Sequence, residues 1–470
     1  MISEKISNGF SFFIKFLRTS LKGFLLLGVS FFLSCATIIP KKKSDLSLNL
    51  KVYKEVLPNG LKVLIMENRR LPIFSYYTYF DVGGRHERKG ITGASHFLEH
   101  LMFKGAKKYG AGKFDSLIEG NGGFSNAYTT FDNTVYHENM PSKSLPIIID
   151  MEADRMVNLL LEPKAFEKER QVVLEERKQR YENRPMGKLF LTMMQAVFEN
   201  TPYGGSVIGD IEDIKNVSRD QIYDYFKKYY SPNNAIIVIV GDVDTKETMT
   251  MIKKKYGSLK ANPNLKKLKE KMDDDELYKH QGRYGRSINI EGQSPTPIFI
   301  LATKGLPLGG HKSYVVDLLS SILGDGASSY LSNQYVINDK PSLASVSAGH
   351  YTLRKNGVFY ILGHMIKKEN PEKMKKVILK KMGDFCKEAI TDRALQRTKN
   401  QYFTSYLSGI RSNAGAARFL GSFEFFHGDY KYFEKEWNIY NSITIEEIRE
   451  ACHEIIKKEE FLFLSVWDKN

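Results

Sequence analysis

Hydrophobic positions along this chain change rhythm several times, and each change marks an element. Phe124–His137, rich in Thr, Tyr and Phe, predicts an extended segment with a turn near Asp132-Asn133. Leu161–Arg177 spaces its apolar residues helically, with Pro163 in the first turn and Pro185 beyond the end. Glu169, Val172, Val173 and Glu176 then share one face, a mixture that suits a buried cation better than water. Thr248–Leu259 is helical again, and residues 262–284 form a polar, charged linker. After it the rhythm restarts. Pro297-Ile-Phe-Ile-Leu-Ala echoes Pro72-Ile-Phe-Ser-Tyr-Tyr at an offset of 225, with helices expected at Ser313–Leu323, Pro371–Ala389 and Ile445–Lys457. The chain is therefore expected to be α+β, with two similar α/β halves at 51–261 and 285–470.

The first half holds the chemistry. His96-Phe-Leu-Glu99-His100 spells H-x-x-E-H, and His residues at i and i+4 of a helix can reach one tetrahedral metal with Glu99 beside them. In this inverted order the two His bind zinc and the Glu activates water. The second half does not repeat it. Its positions at the same offset read Ser321-Ile-Leu-Gly324-Asp325.

A third protein ligand is needed, and Glu176 follows His100 by 76 positions. Glu175 competes for the role but lies about 100° around the helix, whereas Glu169 aligns with Glu176. This spacing resembles that of the pitrilysin, insulinase and mitochondrial processing peptidase family of zinc endopeptidases. The likeness extends to Gly83-Gly84-Arg85-His-Glu87, to Phe103-Lys104-Gly105, to Gly123-Phe-Ser-Asn126-Ala127-Tyr128-Thr129 and to the run from Tyr230 through Gly241, nearly all of residues 51–260. The resemblance implies one Zn²⁺ per chain on His96, His100 and Glu176, with Glu99 as the general base on its water. It also implies that Glu169 orients Glu99 or a ligand His, that Asn126 and Ala127 hold an extended peptide by strand addition, and that two facing halves enclose a chamber for unfolded peptide.

One departure bears on activity. The family's second half carries an Arg and a Tyr that bind substrate and stabilise the oxyanion, whereas this chain has Tyr330 and Ser345 at those places. Losing an oxyanion donor costs on the order of 10²–10³ in rate. Related heterodimers divide the metal motif and the Arg/Tyr pair between two chains, so a paralogous partner is expected, a homodimer being the alternative. The competing function is a non-catalytic, zinc-binding, membrane-tethered scaffold that holds peptide, which leaves Glu99 without a purpose.

The N-terminus is a separate matter. Basic residues precede the apolar run Phe24–Ala36, which is shorter than the roughly 20 residues that span a bilayer and reads as a secretory signal over residues 1–34. Leu33-Ser34-Cys35 resembles a bacterial lipobox, which implies lipidation at Cys35, a tether over 35–50 and a periplasm-facing membrane lipoprotein of the cell envelope; an uncleaved helix over Gly23–Ile39 is the alternative anchor. For Cys386 and Cys452, spacing leaves pairing and free thiols both open. The net charge of +15 comes from dispersed Lys without a nucleic-acid motif, so a solvated basic surface and no nucleic-acid partner are expected.

Overall fold

The computed structural model describes residues 48–279, 282–292, 294–456 and 460–468; the expected signal segment, Cys35 and most of the expected tether lie outside them. Among the described residues no helix is long and apolar enough to cross a membrane. Two sheets organise the rest. The first contains β1 (Val52–Val56), β2 (Lys62–Glu67), β3 (Ile73–Phe80), β4 (Phe124–Thr129), β5 (Thr134–Pro141) and β6 (Ala235–Gly241), in the order β1-β2-β6-β3-β5-β4. The second contains β7 (Ser287–Glu291), β8 (Ile298–Lys304), β9 (Leu343–Thr352), β10 (Gly357–Met365) and β11 (Leu462–Trp467), in the order β7-β11-β8-β10-β9.

The repeat is topological as well as sequential. β2 runs parallel to β6 as β7 does to β11, and every other pairing is antiparallel in both sheets. β3 begins at Ile73 and β8 at Ile298, the offset of 225. β4 and β9 are the corresponding free edges.

The helices of the first half that matter here are α1 (Ala94–Leu101), α2 (Lys113–Gly120), α3 (Leu145–Val157), α4 (Pro163–Arg177) and α5 (Pro185–Val197). α4 passes into a wider helical turn over Lys178–Glu182 before Pro185 opens α5. The connecting segment carries α6 (Leu265–Met272). Its carboxyl end is pinned by Arg85, whose guanidinium donates to the Met272 carbonyl, Asp273 and the Tyr278 hydroxyl and pairs with Asp132 at 3.1 Å. In the second half α7 (His311–Gly324) lies on β9, followed by α8 (Pro371–Asp384), α9 (Asp392–Gly409), α10 (Asn413–His427) and α11 (Ile445–Ile455). Cys386, just past α8, and Cys452 in α11 form a disulfide with Cα atoms 5.7 Å apart.

Both faces of each sheet are covered, which is why β6 reads Ala-Ile-Ile-Val-Ile-Val-Gly and is buried throughout. Ile237 and Ile239 face the core under α1–α4. Val238 and Val240, with Tyr77 and Tyr79, face the other way, onto Ala416, Ala417 and Leu420 of α10. α10 belongs to the second half in sequence. Reciprocally, α5 of the first half lays Leu189, Met193, Met194 and Val197 on Ile298, Ile300, Leu462 and Leu464 of the second sheet. Each half thus lends a helix to the other, and each buried Leu, Ile or Val gains roughly 1.5–3 kcal/mol over exposure.

Candidate metal centre

α1 starts where its surroundings force it to. Gly93 sits at φ +87°, and a Cβ there would lie 2.0 Å from the Ile208 carbonyl oxygen. The Glu87 carboxylate accepts the N–H groups of Gly93 and Ser95 at 2.5 and 2.8 Å, satisfying donors that a helix start leaves orphaned. The helix that follows aims His96, Glu99 and His100 at α4 and β4.

On α4 the inward face is Glu169, Val173 and Glu176, at i, i+4 and i+7; Val172, expected on this face, is 44% exposed, and Glu175 is turned to solvent. Glu176 Oε2 lies 3.2 Å from His100 Nε2 and 3.6 Å from His96 Nε2, and one ligand atom from each of the three residues falls within 4.8 Å of the others. Ligands 2.0–2.1 Å from a tetrahedral zinc are separated by about 3.3 Å. The donor set and its spacing therefore fit Zn²⁺.

Electrostatics point the same way. Burial holds His96 neutral, with its pKa down to about 3. Against burial, hydrogen bonds to Glu169 and Glu176 push His100 up to about 9. Glu176, hydrogen-bonded to His100, falls to about 2 although burial opposes this. A protonated His100 cannot ligate a metal, so metal binding there would require that proton to leave.

Around this group each remaining residue has a partner. Glu169, 6% exposed, meets His100 Nδ1 at 3.0 Å through Oε1 and Lys104 Nζ at 3.0 Å through Oε2. Against burial these contacts hold its carboxyl below the usual value. Such a carboxylate fixes the tautomer and ring orientation of a metal-binding His. Glu99 accepts a 2.6 Å hydrogen bond from the Thr129 hydroxyl on β4, and burial lifts its carboxyl above the usual value despite that bond. A carboxylate so raised is better matched to proton transfer near neutrality.

His96, Glu99, His100, Glu169 and Glu176 open on a cavity of about 690 Å³ whose lining residues all lie between His96 and Arg180. One wall is the β4 edge, including Asn126 and Ala127. There the Ala127 N–H donates to the Asn126 side-chain oxygen at 2.8 Å, so the chain caps its own edge with a side chain that an incoming strand could displace. Tyr330 and Ser345 lie elsewhere. Tyr330 opens a short helix and packs on Phe385 with ring centroids 5.1 Å apart, and Ser345 is exposed on β9.

Sequence reasoning passed over Thr129, Lys104 and Arg180 as individual contacts. Lys104 and Thr129 lie within the family-like runs, and Arg180 left a signal of its own, four residues after Glu176 on the same helical face, where its guanidinium lies 3.1 Å from Glu176 Oε1.

Residues 62–211 match the family described as Insulinase (Peptidase family M16), and residues 216–402 match the Peptidase M16 inactive domain. "Zinc protease PqqE" of Helicobacter pylori is 32% identical over 366 residues, covering 77% of this chain and 80% of that one. The chain belongs to the M16 peptidase family. Another M16 relative, "Mitochondrial-processing peptidase subunit beta" of Rattus norvegicus, is 33% identical over 201 residues, 43% of this chain and 41% of that protein. Among solved structures, a protease from Helicobacter pylori superimposes with a TM-score of 0.80 at 25% identity, covering 89% of this chain and all of that one. The M16 match places the metal cavity in the first segment and most of the repeat without metal ligands in the second.

Proposed function

We propose that this M16 protein is a zinc-dependent endopeptidase for unfolded peptides, holding one Zn²⁺ on His96, His100 and Glu176. The observation that carries the reading is the convergence of these three donors beside Glu99 and a free strand edge. The bound ion supplies Lewis acidity toward a peptide carbonyl and toward water. Glu99 takes a proton from the attacking water and returns it to the leaving amine, with Thr129 holding the carboxylate in place. Glu169 keeps the His100 ring oriented, and Asn126 and Ala127 bind the substrate backbone as an added strand. A paralogous subunit supplies the Arg/Tyr pair. Support for this comes from Tyr330 and Ser345 lying away from the cavity and from the cavity's walls belonging to the first half alone.

The test is metal analysis and peptide cleavage with the chain alone and with such a partner. Glu99→Gln is expected to retain about one zinc while kcat falls on the order of 10²–10⁴, and His100→Ala to lose the metal. Zinc bound with no cleavage in any combination would favour the scaffold reading instead. The same proposal assigns the chain to the cell envelope through a lipid on Cys35, a compartment in keeping with the Cys386–Cys452 disulfide. Mass spectrometry of the mature N-terminus decides that part.

A further inference from the structure

Glu169 and Glu176, the two carboxylates on the inward face of α4, are divided in the same manner. Glu169 gives Oε1 to His100 and Oε2 to Lys104; Glu176 turns Oε2 toward His96 and His100 and gives Oε1 to Arg180 Nη2 at 3.1 Å. Arg180 stands in the widened turn after α4, and its side chain, 56% exposed, lines the metal cavity. As a surface ion pair four residues apart it contributes little to the fold. What sets it apart is the oxygen that it occupies. A carboxylate free at both oxygens can grip a metal with both and fill the place needed by water and substrate; catalytic zinc sites keep that place open.

We propose that Arg180 is a positioning residue that restricts Glu176 to one metal-binding oxygen and thereby keeps a coordination position free. This rests on the zinc reading above, and the contrast with Lys104 makes it testable. Lys104 reaches the metal group only through Glu169 and His100, so its loss should weaken binding without altering how Glu176 binds.

Cobalt(II) in place of zinc reports coordination number in its visible spectrum, intense for a four-coordinate ion and weak for a more highly coordinated one. The full chain is expected to give the intense spectrum. Arg180→Met should convert it to the weak form and lower zinc affinity about tenfold, measured by chelator competition; Arg180→Lys should restore the intensity. Lys104→Met should keep the intense spectrum with weaker binding. An Arg180→Met spectrum equal to wild type, loss of cobalt from that variant altogether, or the same spectral change in Lys104→Met overturns the role. Failure of the unmutated chain to bind cobalt or zinc would instead overturn the metal centre itself.

Discussion

The two halves share a sheet topology and differ at the place where a helix meets the edge strand. In the first, α1 stands off β4 far enough to hold two His and a Glu, and Glu99 reaches Thr129 across the gap. In the second, the position 225 residues after Glu99 is Gly324, where a Cβ would lie 2.1 Å from the Ala348 backbone nitrogen on β9. There the gap has closed. The same offset places Ala394 and Gln401 where α4 carries Glu169 and Glu176. An open cleft and a closed seam, the latter still carrying the Asp317–His350 pair between α7 and β9, are thus alternative fillings of one architecture, and losing the ligands accompanies closer packing.

Breaking the second half should therefore cost stability, whereas altering the first should cost chemistry. The largest effect on folding is expected from Cys386→Ser, which removes a cross-link between residues 66 apart and should lower stability by about 2–4 kcal/mol. The first half, which contains no cysteine, has no counterpart. Denaturant titration of the variant against wild type under oxidising conditions measures it.

A smaller effect separates the equivalent positions directly. Gly324→Ala should destabilise by about 1–3 kcal/mol through overpacking against Ala348. Glu99→Ala should leave the unfolding free energy within a few tenths of a kcal/mol or raise it, because it removes a buried carboxyl, while abolishing cleavage. Equal loss of stability from both would show that the seam is not more tightly packed than the cleft.

A separate contrast is in pH dependence, where the halves should oppose each other. His86, buried beside Arg85, Asp81 and Arg354, has its pKa lowered to about 3, mainly by burial. The unfolded chain binds its proton near 6.5, so this group's contribution is lost as pH falls from 6.5 toward 3. Glu436, buried near Tyr406, Tyr314 and Asp317, is raised to about 7, again mainly by burial. The folded state keeps a proton that the unfolded chain releases near 4.5, so its contribution is lost as pH rises from 4.5 toward 7. Stability curves of His86→Asn and Glu436→Gln, each subtracted from wild type, should slope in opposite senses.

Much of this was legible in the sequence, for reasons that differ from residue to residue. The repeat could be read because strand pattern is local, and β8 begins at the residue that the 225 offset indicates. The preference for Glu176 over Glu175 follows from helical geometry, and the structure turns Glu176 to the histidines and Glu175 to solvent. Val172 illustrates the limit. Helical phase says which residues share a stripe, but the neighbours decide how wide a stripe they cover. The Cys386–Cys452 pair and the Lys104–Glu169 contact join elements distant in sequence, and neither has a periodicity to betray it. Least legible was the destination of α5 and α10. An amphipathic helix declares that it must be covered, not by which sheet.

That crossing of α5 and α10 determines what a cut would do. Severing the connection between the halves would not yield two independent proteins, since each sheet would surrender the helix that shields its outer surface. The pieces should stay together after nicking and precipitate if expressed apart.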